Sequence, residues 1–190
     1  MERANIVPNG RFFYGWVIVG VAFAVAFSEA PARSTILSLI VVPVTQEFGW
    51  SRTALAGAVA LGGLAGAIVS PVAGPIIDRR GAKGVVVIAA SITGGAVLGL
   101  SFIGVLWQFY VLIILTRAFS SSAASLGTQV MVANWFIRRR GRAMAISRLG
   151  TWVALPLFLL VAQAIISSHG WRVAWLAMGA VTLIVATRYE

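Results

Sequence analysis

The sequence predicts an all-α integral membrane protein, a six-transmembrane-helix bundle, on three observations. Of its 190 residues 59% are hydrophobic and 11% charged, with a mean hydropathy of +0.94. A soluble domain carries about 25% charged residues and could not bury so much apolar side chain. The apolar residues fall in long runs without strand-like alternation, which argues against a β-barrel. The basic residues sit in the short gaps between those runs. This composition excludes a soluble enzyme and a disordered linker.

The number of spans follows from length. A hydrocarbon core about 30 Å thick takes about 20 residues at 1.5 Å rise, so a chain of 190 residues with short connections holds about six helices. They are expected at 12–34, 53–75, 84–104, 107–133, 143–167 and 171–187, in a single domain over 1–190. The first apolar run extends from Phe12 nearly to Gln46, interrupted by Glu29, Pro31 and Arg33. The expected solution is one kinked helix to residue 34 that continues outside the bilayer toward Glu47. The run is too long for a signal-peptide core and lacks a cleavage site, so it reads as an uncleaved first helix.

Charge asymmetry sets the orientation. With the N-terminus as one side, that side holds ten of the 15 basic residues: Arg3, Arg11, Arg79, Arg80, Lys83, Arg138, Arg139, Arg140, Arg142 and Arg188. The other side holds Arg52 and Arg172, and Arg33, Arg117 and Arg148 fall within spans. Cytoplasmic loops of membrane proteins are the lysine- and arginine-rich ones. Both termini are therefore expected in the cytoplasm of a multi-pass protein of the cell membrane, which needs an even number of spans. A net charge of +10 distributed this way does not form a nucleic-acid stripe. Trp16, Trp50, Trp107, Trp135, Trp171 and Trp175 fall near expected span ends, where amphipathic rings anchor at the interface; Trp152 lies well inside one.

Catalytic and metal chemistry has little to stand on. The chain has no cysteine, so disulfides, thiolate metal sites and cysteine nucleophiles are excluded. No Walker-type loop, HExxH or GxSxG is present. His169 is isolated beside Gly170 in an outer loop and is expected to be solvated. No enzyme activity, cofactor or metal is expected.

One segment carries more than orientation requires. After the second expected span the chain reads Gly74-Pro75-Ile76-Ile77-Asp78-Arg79-Arg80-Gly81-Ala82-Lys83. Cations alone would fix topology, yet Asp78 stands among three of them, between two spaced glycines. The stretch resembles the signature of the major facilitator superfamily, Gly-x-x-x-Asp-Arg-x-Gly-x-Arg/Lys, in the loop joining helices two and three. Gly74, Asp78, Arg79, Gly81 and Lys83 occupy its key positions. The resemblance implies a conformational-switch loop that contacts the opposite half of a transporter. Tyr14-Gly15-Trp16, Phe48-Gly49-Trp50-Ser51-Arg52, Ala133-Asn134-Trp135-Phe136 with Arg138-Arg139-Arg140-Gly141, and Gly170-Trp171-Arg172 resemble the monocarboxylate and oxalate/formate branch. A complete carrier of this kind has twelve helices, and this chain resembles the first six, built as a 3+3 inverted repeat. Helix five lacks the Gly-x-x-x-Gly-Pro pattern of many antiporters, since Gly150 and Pro156 sit apart with Ala154 between them. That departure argues against a drug/proton antiporter. The tail 186–190 ends where the central loop of a full carrier begins, so the missing C-terminal half or a second copy is expected to complete the path.

Charges inside spans need a reason, because each costs about 2.5–3.5 kcal/mol at mid-membrane. Glu29 and Arg33 are four apart, which on a continuous helix places them on one face within reach. Arg33 is a candidate for attracting an anionic substrate, with Glu29 as its resting counter-charge or as a titrating site that burial and Arg33 would push in opposite senses. Arg117 lies roughly 15 Å into helix four, the equivalent of helix one in the inverted repeat that the resemblance implies. Arg33, Arg117 and Glu29 are thus the expected substrate-binding residues. Arg148 is near enough to the cytoplasmic interface to snorkel. Gly62, Gly63 and Gly66, and Gly94, Gly95 and Gly99, form small-residue faces for close helix packing. The expected activity is secondary transport of a small organic anion, monocarboxylate-like, by alternating access across the lipid bilayer. The competing expectation is a non-transporting truncated or regulatory six-helix membrane protein.

Overall fold

A computed structural model describes residues 15–136 and 140–187. Arg3, Arg11, Tyr14, Arg138, Arg139 and Arg188 lie outside the described residues. Every described element is helical, and no strand occurs among them. Helix α1 covers Gly15–Ser28, a 3-10 turn Ala30–Ala32, and α2 Ser34–Phe48. Helix α3 is Arg52–Arg80 and α4 Ala82–Gly99, with a second 3-10 turn over Leu100–Phe102. Then follow α5 Leu106–Ala118, a π-helical turn Phe119–Ala124, α6 Ser125–Trp135, α7 Arg140–His169 and α8 Trp171–Thr187.

Four stretches are long and apolar enough to cross a membrane: Arg52–Arg79, Ala82–Phe102, Leu106–Trp135 and Gly141–His169. Three shorter apolar helices, α1, α2 and most of α8, accompany them. Large apolar side chains point outward along these helices; Ile68 is 71% exposed and Leu160 72%. A water-soluble monomer does not display such a coat. It is the surface of a multi-pass membrane protein, where lipid replaces water.

Local chemistry explains the boundaries. Ser51 caps α3 by accepting from the Ala54 N–H at 3.1 Å. Gly49 ends α2 in the left-handed region at φ 69°, and Gly81 turns the chain between α3 and α4 at φ 83°. Pro31 cannot donate a helical hydrogen bond and disfavours helical geometry in its predecessor, so α1 stops. The carbonyl of Ser28 freed at that break accepts from the Thr182 hydroxyl of α8 at 2.9 Å.

Two expectations are corrected here. The first apolar run is two helices with a break, and α2 does not stand outside the bundle. Its Ile36, Leu37, Ile40 and Val44 are fully buried in the same core as Leu55, Val97, Phe109 and Trp175. Burial of that stripe outweighs extension into solvent. The second correction is that α3 continues past Pro75 to Arg80. Gly74, Asp78 and Arg79 therefore lie on the end of a helix, and the turn itself is Gly81. A proline inside a helix costs one hydrogen bond, which the rest of a long helix tolerates.

Three pairings dominate the packing: α1 with α7, α3 with α5, and α4 with α8. Small residues make them close. A Cβ on Gly150 of α7 would collide with the backbone carbonyl of Phe23 in α1. The next residue, Thr151, donates to the Ala26 carbonyl at 3.3 Å.

Candidate functional site

The break after α1 creates the polar interior. Glu29 closes α1 with φ −83° and ψ −4°, while Arg33 is extended at φ −73° and ψ 143°. The two are therefore not on one continuous helical face, and the side-by-side pairing expected from their spacing does not form. Glu29 is 3% exposed, its Oε1 has no hydrogen-bond partner, and no ion pair within 4.0 Å joins it to Arg33. The turn that carries it touches α4, α7 and α8. Arg33 is exposed and lies within electrostatic range of Glu29.

Arg117 enters from α5. Its side chain is half-buried, its Nε has no hydrogen-bond partner, and Arg33 is close enough to repel it. The stem lies along α3: a Cβ on Gly62 would sit 3.1 Å from Arg117 Cβ and Cδ, and one on Gly63 would sit 3.9 Å from Nη2. Immediately beyond Arg117 the helix widens into the π turn Phe119–Ala124, and the Ser121 hydroxyl donates back to the Arg117 carbonyl. Insertions of this kind recur at functional sites. Two like charges thus converge from separate helices, each beside an irregular turn. Arrangements like this attract an anion, because the positive potential is undiluted by a paired carboxylate.

The switch-motif residues lie at the far end of α3. Asp78, Arg79 and Lys83 are exposed, and a Cβ on Gly74 or Gly81 would meet nothing. Gly81 nonetheless holds a φ that side chains rarely adopt. Arg148 donates to Gln129 Oε1 at 3.4 Å, and His169 Nδ1 pairs with the Ser168 hydroxyl at 2.7 Å. Among the described residues no group of acidic and histidine side chains could hold a metal.

Sequence reasoning missed a clasp at the opposite end. Glu47, the last polar residue of α2, accepts from Trp171 Nε1 at 2.7 Å and pairs with Arg172 at 2.6 Å. The Arg172 guanidinium stacks 4.4 Å from the Trp171 ring centroid, and Phe48 stacks on Trp50 at 4.6 Å. The Trp171 hydrogen bond, then Arg172, hold the Glu47 carboxyl below its ordinary value. Trp171 and Trp175 are buried, at 5% and 1% exposure, so they are core residues and not interfacial anchors. The motifs Phe48–Arg52 and Gly170–Arg172 were visible separately; nothing local shows that they meet.

Comparison with known proteins agrees with this architecture. The family model of the Major Facilitator Superfamily matches residues 13–189. The chain is 30% identical over 180 residues to mouse (Mus musculus) monocarboxylate transporter 11, covering 93% of this chain and 39% of that protein. It is 24% identical to monocarboxylate transporter 2 of Mesocricetus auratus, covering 94% and 36% respectively. Against human monocarboxylate transporter 1 the identity is 22%, with 93% and 35% covered. The chain thus spans little more than a third of the length of these relatives. With a family match over nearly its whole length and relatives drawn from one branch, the chain belongs to the major facilitator superfamily, near its monocarboxylate transporters.

Proposed function

We propose that this chain is a six-span half of a secondary transporter that moves a small organic anion of monocarboxylate type by alternating access. The observation that carries the reading is the convergence of Arg33 and Arg117 beside the turns that interrupt their helices. In transporters, broken helices at corresponding positions of two repeats mark the substrate site. The names of the relatives supply the substrate class.

The packing supports six spans in a 3+3 inverted repeat. Count α1 with α2 as the first span, α3 and α4 as the second and third, α5 with α6 as the fourth, α7 and α8 as the last two. Exchanging first with fourth, second with fifth and third with sixth turns the pairing of α1 with α7 into that of α5 with α3. It returns α4 with α8 to itself. The three dominant pairings are thus invariant under that exchange. Under the same exchange the break at Glu29–Arg33 matches the π turn after Arg117.

In this reading Arg79, Lys83 and Arg142 face the cytoplasm with both termini, in the cell membrane. Asp78 and its neighbours meet the opposite half, supplied by a C-terminal partner or a second copy. Uptake of labelled lactate, formate and oxalate into liposomes tests it, comparing the chain as a strict monomer, as a linked dimer, and joined to a carrier's second half. Anion uptake is expected only in the joined or paired forms. Uptake by the monomer removes the need for a partner, and none in any form favours a non-transporting membrane protein.

A further inference from the structure

We propose that Gly62 of α3 is a positioning residue for the Arg117 guanidinium and so sets the strength of anion binding. The inference rests on the reading of Arg117 as an anion-binding group.

The geometry is specific. A Cβ at position 62 would lie 3.1 Å from both Cβ and Cδ of Arg117 and 3.2 Å from the Ile113 carbonyl. Contacts this short require the neighbour to give way. The Ile113 oxygen is helix backbone and cannot move without parting α3 from α5. The arginine stem is therefore pressed against bare backbone along its length, and the guanidinium emerges beside Gly63, where a Cβ would lie at an ordinary 3.9 Å from Nη2. Long charged side chains pack their methylenes on apolar surface and place the head where the stem directs. Behind it, Gly66 makes room for Ser121, whose hydroxyl ties down the Arg117 carbonyl. Both ends of the residue are thus fixed by one face of α3. The spacing of Gly62, Gly63 and Gly66 therefore serves the arginine as well as helix approach. A single methyl at 62 displaces the arginine stem, the helix that carries it, or both, while leaving the charge in place, which separates position from electrostatics.

The test is equilibrium binding of radiolabelled lactate to the full chain in nanodiscs. Arg117→Gln is expected to weaken binding. Gly62→Ala is expected to weaken it about tenfold, the scale of displacing one charged contact, whereas Gly63→Ala, whose Cβ meets Nη2 at ordinary contact distance, is expected to leave it unchanged. Gly95→Ala, where a Cβ meets nothing, is the control and leaves Kd unchanged. In the Arg117→Gln background the effect of Gly62→Ala is expected to vanish, because the displaced charge is gone. A purely structural role would instead add in the double variant, and that result overturns the proposal. If Gly62→Ala does not fold, Arg117→Lys decides it: it keeps the charge but not the position of the head, weakened binding is expected, and a wild-type Kd overturns the positioning role. Unchanged Kd in Gly62→Ala beside weakened binding in Arg117→Gln also overturns the positioning role while keeping the anion reading. Unchanged Kd in Arg117→Gln removes that reading, and the positioning role with it.

Discussion

Trp171 Nε1 donates to Glu47 Oε2 at 2.7 Å, while Arg172 holds the other oxygen of the same carboxylate at 2.6 Å. This one carboxylate joins the end of α2 to the start of α8, far apart in sequence. Because α2 packs into the core shared with α3, α5 and α8, the clasp fixes the outer rim of that core.

The clasp makes stability depend on acid. The folded Glu47 is held below its ordinary value of 4.5, chiefly by the Trp171 hydrogen bond. Its stabilisation is therefore fully present above pH 4.5 and is lost as pH falls through the depressed folded value. The pair is partly exposed, so the effect is small. Thermal unfolding followed by tryptophan fluorescence in detergent is expected to show Glu47→Gln lowering Tm at neutral pH by about 2 °C. The difference from wild type is expected to close on acidification. A gap that persists below the folded value would assign the loss to packing.

Close approach of α1 and α7 gives a larger effect. Gly150→Ala drives a methyl into the Phe23 backbone carbonyl, so the two helices must separate along the Thr151–Ala26 contact. Overpacking of this kind costs about 2 kcal/mol. Gly20→Ala on α1, where a Cβ meets nothing, is expected to be neutral or stabilising because alanine is the better helix former. Unfolding of the two variants side by side checks the contrast, and equal Tm values would show that α7 is not seated on α1 at this point.

Much of this architecture was legible. Apolar runs, their lengths and the basic gaps are local properties, and they are enough to read an all-helical, multi-pass membrane protein. Two features escaped for the same physical reason. Pro31 and the charges around it end a helix, so the sequence alone sends residues 34–48 out of the membrane; only the burial of Ile36, Ile40 and Val44 against distant helices shows where the chain goes next. An average preference of its ring places Trp171 at the interface, whereas its N–H is committed to a carboxylate 124 positions earlier. At the candidate site, Glu29, Arg33 and Arg117 were conspicuous because charge in an apolar run is rare. The i,i+4 pairing assigned to Glu29 and Arg33 failed because spacing predicts proximity only on an unbroken helix.

Glu29 is expected to act as an electrostatic brake on anion binding. It is buried, makes no ion pair with Arg33, and lies within electrostatic range of it. Glu29→Gln leaves both guanidinium groups in place and takes away the ionisable carboxyl, so at pH 9, where a carboxylate carries its charge, lactate affinity is expected to rise severalfold. Unchanged or weaker binding would remove Glu29 from the anion's surroundings.

The two arginines are expected to act as a pair. They stand on different spans, Arg33 is close enough to repel Arg117, and no carboxylate among the described residues pairs with either within 4.0 Å. Arg33→Gln or Arg117→Gln alone then has two opposed effects. It removes one attraction for the anion, and it relieves the remaining arginine of its like-charged neighbour. The loss of attraction wins for a bound anion, since the repulsion is already offset when the anion sits between the charges. Each single change is expected to weaken lactate binding by about tenfold, the scale of one charged hydrogen bond. The double change is expected to cost more than either but less than their product, because the second loss falls on a site already stripped of its partner. Uptake measured with competing anions checks the same point in transport. If both single variants retain wild-type affinity and anion inhibition, neither arginine contacts the substrate, and the convergence of charge serves only the fold.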